Sequence, residues 1–83
     1  MYRIILTRKA AKVIEELPNR ERRRLSKAID QLRENPLAGK QLQGTLAGLR
    51  SLRVWPYRII YAADRDTVTV TVLRVGHRQS VYK

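Results

Sequence analysis

The chain has 83 residues and a formal net charge of +11, with 18 lysine and arginine residues against 7 aspartate and glutamate residues. This length allows one domain with a small core, and the 43% hydrophobic content is ordinary for a folded protein. The lack of cysteine excludes disulfides and cysteine-based metal sites, and one histidine excludes a histidine-rich site, so we expect no metal and no cofactor. No apolar run is long enough for a membrane span or a signal peptide, so we expect a cytoplasmic protein.

The excess of positive charge indicates a polyanionic ligand. Most of the basic residues are arginine, whose planar guanidinium binds a phosphate through two hydrogen bonds. A surface that serves solubility alone mixes charges of both signs more evenly. Nucleic acid is the commonest polyanion, so we expect a nucleic-acid-binding protein, with a generic basic surface or a membrane-surface protein as the alternatives. A small protein this basic also implies an acidic partner that covers it.

The first half of the chain predicts one strand followed by two helices. Residues 2–6 are mostly apolar and typical of a strand, and Thr7 is a suitable N-cap for a helix that reaches residue 17. Pro18 ends this helix, and Asn19 can cap a second helix that stops at the Asn-Pro pair of residues 35–36. The predicted apolar stripe of this second helix consists of Leu25, Ile29 and Leu32. Two antiparallel helices joined at a proline form a helical hairpin.

The second half of the chain predicts a loop and three strands. Residues 36–48 contain three glycines and are typical of a loop. Residues 49–55 and 57–62 predict two strands separated by Pro56. A third strand is predicted by the alternating threonine and valine residues of 67–72.

The resulting order, β-α-α-β-β-β, predicts a single α+β domain of residues 1–83. We expect two layers, with the helical hairpin packed on one face of a mostly antiparallel four-stranded sheet. The opposite face of the sheet is then open to solvent or to a ligand.

Side-chain alternation predicts which residues reach the open face. Leu52 and Val54 share one side of their strand, so Arg53 projects from the other side if these two apolar residues meet the helices. Arg58 shares its parity with Ile60, but the other side of that strand is also apolar. Parity therefore leaves the side of Arg58 undetermined.

Three segments of the chain resemble the RelE/ParE toxin superfamily. They read L-R-V-x-x-Y-R-I-I-Y at residues 52–61, V-G-H-R-x-x-V-Y at residues 75–82 and N-P-x-x-x-K-x-L-x-G at residues 35–44. The resemblance covers nearly the whole chain, and the terminal arginine and tyrosine favour the RelE-like branch. It departs from the family at Ser51, where a basic residue is common.

The resemblance implies the toxin of a type II toxin–antitoxin pair. A toxin of the RelE branch is a metal-independent endoribonuclease that cleaves mRNA in the ribosomal A site and so inhibits translation. The 2′-hydroxyl attacks the adjacent phosphate, leaving a 2′,3′-cyclic phosphate and a 5′-hydroxyl. The implied partners are the ribosome, mRNA and a cognate antitoxin whose acidic or amphipathic segment wraps the toxin, with no membrane partner.

The resemblance also implies roles for individual residues. Arg58 would stabilise the charge on the phosphate in the transition state, Arg78 would lie near the leaving 5′-oxygen, and Tyr82 would stack on or activate the substrate nucleotide. The predicted RNA-binding residues are Arg50, Arg53, Arg74, His77 and Lys83, although Arg50 points to the other face if its strand is regular. The general acid and base stay open among Tyr82, His77 and Arg78.

Two other functions are compatible with the sequence. A ParE-like toxin would share the fold but inhibit DNA gyrase and cut no RNA. A non-catalytic basic protein would bind RNA, or serve only as the partner of its antitoxin. Cleavage of RNA separates the first prediction from both alternatives.

Overall fold

The computed structural model describes residues 1–77. Its elements are β1 (Arg3–Leu6), α1 (Arg8–Glu15), α2 (Asn19–Gln31), β2 (Lys40–Gln41), a 3-10 turn (Gly44–Leu46), β3 (Arg50–Val54), β4 (Tyr57–Asp64) and β5 (Thr69–His77). The strands form one sheet in the order β1-β5-β4-β3-β2. β1 pairs with β5 in parallel, and the other three pairings are antiparallel. Within residues 1–77, no helix is long and apolar enough to cross a membrane.

The predicted α+β architecture is confirmed, with one difference in the sheet. The sheet has five strands rather than four, because residues 40–41 add a short edge strand beside β3. The glycine-containing composition of residues 36–48 predicts a loop here. Their two polar side chains carry no strand pattern of their own, so pairing with β3 creates β2.

The starts of the two helices were predicted with different success. Thr7 is the N-cap of α1, and its hydroxyl accepts a hydrogen bond from the Ala10 amide at 3.2 Å, as predicted. The prediction that Asn19 caps α2 was wrong: Pro18 occupies the N-cap position and Asn19 is the first helical residue. The Asn19 carboxamide instead accepts a hydrogen bond from the Arg22 guanidinium.

The core lies between the helices and one face of the sheet. Leu25, Ile29 and Leu32 form the predicted apolar stripe of the second helix and its end, and all three are buried. The remaining buried core residues are Ala10 and Ile14 from α1, Ile59 and Tyr61 from β4, and Val70, Val72 and Val75 from β5. The opposite face of the sheet carries no helix of residues 1–77.

Candidate nucleic-acid interface

The strand register decides which side chains lie on the open face of the sheet. Leu52 is the cross-strand partner of Ile59, and both pack in the core. Partners in adjacent strands share a face, and neighbours along a strand alternate between faces. The pairs Arg53–Arg58 and Ser51–Ile60 therefore lie on the open face. This settles the side of Arg58, which parity alone left undetermined, and confirms that of Arg53.

One row of side chains crosses four strands of the open face. In register from β2 to β5 it contains Lys40, Ser51, Ile60 and Arg74. The two middle residues are buried, with Ser51 5% and Ile60 2% exposed, whereas Lys40 and Arg74 are exposed. The row therefore has a cation at each end and two buried, uncharged residues between them.

A second row lies two residues further along the strands. Arg53 of β3 stands directly opposite Arg58 of β4, which stands opposite Gly76 of β5. Arg53 is exposed and Arg58 is half-buried. Directly opposed like charges destabilise a sheet, so this pair is unfavourable unless an anion lies between the two guanidinium groups.

Acidic residues do not offset this charge within the part of the chain that the structure describes. Arg53 and Arg58 form no ion pair with any residue of 1–77. Asp64 lies on the same face, at the far end of β4, but its carboxylate accepts hydrogen bonds from the backbone amides of Asp66 and Thr67. The centre of the open face is thus a cationic surface suited to phosphate.

Two predicted RNA-binding residues lie away from this surface. Arg50 is the cross-strand partner of Tyr61 on the helix side, and its guanidinium donates hydrogen bonds to the carbonyls of Gly39 at 2.8 Å and Leu37 at 3.3 Å. His77 is exposed and is the partner of Tyr57, which packs against the core from the helix side. The structure brings neither residue into the two cationic rows.

Beneath the open face, a buried tyrosine fixes the segment that precedes β2. The Tyr61 hydroxyl accepts a hydrogen bond from the Gly39 amide at 2.8 Å and donates one to the Pro36 carbonyl at 2.7 Å. Burial raises the pKa of Tyr61 above its ordinary value of 10.0, and the Gly39 amide and Arg50 oppose this shift. The phenol is therefore neutral at physiological pH and can act as both donor and acceptor.

Three predicted site residues, Arg78, Tyr82 and Lys83, lie outside the described residues. Of the predicted site residues within 1–77, Arg53, Arg58 and Arg74 lie on the open face, and Lys40 lies on the same face. Lys40 was not identified as a site residue from sequence. The pairing of β2 with β3 places Lys40 on the open face, and the sequence carries no local signal for this pairing.

Comparison with known proteins decides the family. The family described as "ParE toxin of type II toxin-antitoxin system, parDE" matches residues 4–82. The chain belongs to the RelE/ParE toxin superfamily. Toxin RelG of Mycobacterium tuberculosis is 36% identical, over 99% of this chain and 97% of RelG. Toxin RelE of the same organism is 30% identical, over 99% of this chain and 87% of that toxin.

Solved structures agree with this assignment. The toxin–antitoxin complex RelBE2 of Mycobacterium tuberculosis contains a chain that matches with a TM-score of 0.85 and 35% identity, covering 93% of this toxin and 98% of that chain. The archaeal RelE–RelB complex of Pyrococcus horikoshii gives a TM-score of 0.82 and 25% identity, with 96% and 98% covered. This chain is therefore a toxin of a type II toxin–antitoxin system, in the RelE-like branch.

Proposed function

We propose that this toxin is a ribosome-dependent endoribonuclease that cleaves mRNA in the ribosomal A site. The observation that carries the proposal is the opposed pair Arg53–Arg58 on the open face of the sheet, which no acid of residues 1–77 neutralises. A phosphodiester between the two guanidinium groups removes their mutual repulsion and accepts hydrogen bonds from both. The pair thus costs stability in the free protein and favours binding of RNA.

The chemistry required of Arg58 is electrostatic. When the 2′-hydroxyl attacks the adjacent phosphorus, negative charge builds on the non-bridging oxygens, and a guanidinium already in place stabilises it. Arginine keeps its proton in proteins, so Arg58 acts as a fixed cation and the proton transfers belong to other groups. The terminal residues Arg78 and Tyr82 are proposed to act at the leaving 5′-oxygen and on the substrate nucleotide.

The neighbouring residues are proposed to hold the RNA strand. Arg74 lies in the adjacent row, on the strand next to that of Arg58, and extends the cationic surface toward β5. Contacts to the phosphate backbone position a nucleic acid without reading its sequence. We therefore expect the codon to be selected by the geometry of the mRNA on the ribosome and not by these arginines.

We further propose that a cognate antitoxin covers the basic surface when the toxin is inactive. The related RelBE2 and archaeal RelE–RelB structures are toxin–antitoxin complexes. In this chain, a cavity of about 320 Å³ opens between the two helices and β1, and its apolar lining includes Ile4, Leu6 and Ile29. The charged residues of its lining are Glu15, Asp30 and Arg33, and Arg33 is paired with Asp30, so the cavity itself suits apolar side chains. An amphipathic segment would place its apolar side chains there and its acidic side chains on the basic open face of the sheet.

A second candidate function follows from the description of the matching family. That description names ParE, which supports the alternative of a gyrase inhibitor that cuts no RNA. The relatives that are 36% and 30% identical over nearly the whole chain are RelG and RelE, which supports the ribonuclease. The two functions differ in their target and are separated by one pair of assays.

The test uses purified toxin, bacterial ribosomes programmed with a defined mRNA, and primer extension to map the cut. We expect cleavage within the A-site codon, a 5′-hydroxyl on the downstream product, and no cleavage of the same mRNA without ribosomes. A parallel assay measures supercoiling by gyrase, which we expect to be unaffected. Inhibited supercoiling without RNA cleavage would transfer the proposal to the ParE-like function, and inactivity in both assays would leave a non-catalytic partner of the antitoxin.

A further inference from the structure

We infer that Lys40 binds the phosphate that flanks the cleaved one, and so positions the mRNA strand along the sheet. The inference rests on the proposed function, because it assigns a specific contact within the same RNA site. Lys40 is exposed, lies on the open face as the partner of Ser51, and forms no ion pair with any residue of 1–77.

The sheet geometry separates Lys40 from the reaction itself. Strands lie about 4.8 Å apart and residues advance about 3.3 Å along a strand, which places the Lys40 Cα roughly 12 Å from the Arg58 Cα. The residues next to Lys40 in its own row, Ser51 and Ile60, are buried and uncharged. Lys40 and the Arg53–Arg58 pair are therefore arranged for two different phosphates of one strand.

Contacts from Arg50 and Tyr61 fix the backbone next to Lys40. Gly39 donates its amide to the buried Tyr61 hydroxyl and accepts a hydrogen bond from the Arg50 guanidinium on its carbonyl. A Cβ at position 39 would lie 2.8 Å from the Tyr61 ring and hydroxyl and 3.0 Å from the Ser51 carbonyl. Only glycine fits this close approach. A lysine that serves only solubility does not require a fixed backbone at the preceding residue.

This arrangement also explains the location of Arg50. Its guanidinium lies beneath the sheet, where it anchors the residue before Lys40 instead of contacting RNA directly. Arg50 and Tyr61 are thus positioning residues for β2, and Lys40 is the group that meets the ligand.

The test measures single-turnover cleavage on programmed ribosomes as a function of toxin concentration. We expect Lys40→Ala to raise the half-saturating concentration about five- to tenfold, as for loss of one charge-assisted contact, with the maximal rate within twofold of the wild type. Lys40→Arg should recover most of the loss. Lys9→Ala, which removes an exposed lysine from α1, is the matched control for net charge.

A binding assay separates this inference from the proposed function. A short single-stranded RNA with 2′-deoxy substitutions cannot be cleaved, and its affinity is measured over a range of salt concentrations. Loss of one phosphate contact in Lys40→Ala should make the slope of log K against log salt shallower by about 0.7 than in Lys9→Ala.

The outcomes are distinct. Cleavage by the wild type together with identical behaviour of Lys40→Ala and Lys9→Ala in both assays would overturn the role of Lys40 alone. Failure of the wild type to cleave would overturn the proposed function, and the binding assay would still decide whether Lys40 contacts phosphate. A lower maximal rate at unchanged half-saturation would place Lys40 in the chemical step and also contradict the inference. Thermal unfolding of each variant verifies that the fold is intact.

Discussion

Replacement of Tyr61 by phenylalanine removes the hydroxyl that ties β4 to the segment before β2. The change preserves the ring, which is fully buried in the core, and deletes two hydrogen bonds to Gly39 and Pro36. Gly39 is buried, so its amide is left without an acceptor, at a cost of about 1–3 kcal/mol. Pro36 is only partly buried and its carbonyl can turn to water, so the second bond contributes about 0.5–1.5 kcal/mol.

Together these effects predict a loss of about 1.5–4.5 kcal/mol in the free energy of unfolding, with a midpoint near 3 kcal/mol. For a domain of this size, about 4–8 °C in Tm corresponds to each kcal/mol, so the midpoint of this range corresponds to a fall in Tm of about 12–24 °C. The assay is urea unfolding followed by far-ultraviolet circular dichroism, with the slope checked for two-state behaviour. Tyr57→Phe is the matched control, because the Tyr57 hydroxyl forms no hydrogen bond within residues 1–77, and it should change stability by less than about 0.5 kcal/mol. Equal stability of the two variants would refute the role of the Tyr61 hydroxyl.

Three further predictions concern the same framework. Burial raises the pKa of Tyr61 above 10.0, so the difference in tyrosinate absorbance between wild type and Tyr61→Phe should develop only above pH 10. Because the folded pKa is raised, this group's contribution to stability is complete below pH 10 and declines as the pH rises through the folded pKa. Gly39→Ala should lower Tm and weaken RNA binding together, since its Cβ displaces β2, and unchanged values of both would contradict the close packing. Thr7→Ala should lower the free energy of unfolding in urea by about 1–2 kcal/mol, because the Thr7 hydroxyl caps α1 and also donates to the Leu73 carbonyl at 3.0 Å. Thr67→Ala, in an exposed turn, is the control.

Local sequence signals predicted much of the fold. Three correct predictions depend only on residues close together in the sequence. They are the Thr7 cap, the apolar stripe of α2 and the alternation around Arg53. The cap at Asn19 was mispredicted because proline and asparagine are adjacent there and the extended conformation required of a cap is adopted by Pro18. Such a choice between neighbours is decided by backbone geometry that composition does not reveal.

The parts of the site that escaped prediction depend on contacts between distant segments. β2 forms because Tyr61, 22 residues beyond Gly39, holds the preceding chain against β3. The side of Arg58 is set by its register with Arg53, since both faces of its strand are apolar. Alternation along a regular strand predicts that Arg50 points away from the open face, and its guanidinium lies on the helix side; its hydrogen bond to the Gly39 carbonyl had no signal in the sequence.

The like-charge pair of Arg53 and Arg58 connects stability to function. Removal of one guanidinium from this pair relieves repulsion, so Arg58→Ala should unfold no earlier than the wild type in urea. A residue whose loss leaves stability unchanged or improved and yet abolishes activity is retained for the ligand and not for the fold.

The central claim is tested most directly by the single-turnover rate of mRNA cleavage on programmed ribosomes, with wild type beside Arg58→Ala at saturating toxin. Lys12→Ala, an exposed substitution on α1, is the control for a change of net charge. The proposed stabilisation of the phosphate predicts a rate about 10²–10³-fold lower for Arg58→Ala and an unchanged rate for Lys12→Ala. Cleavage by folded Arg58→Ala at the wild-type rate would contradict the assignment of the open face of the sheet as the catalytic site.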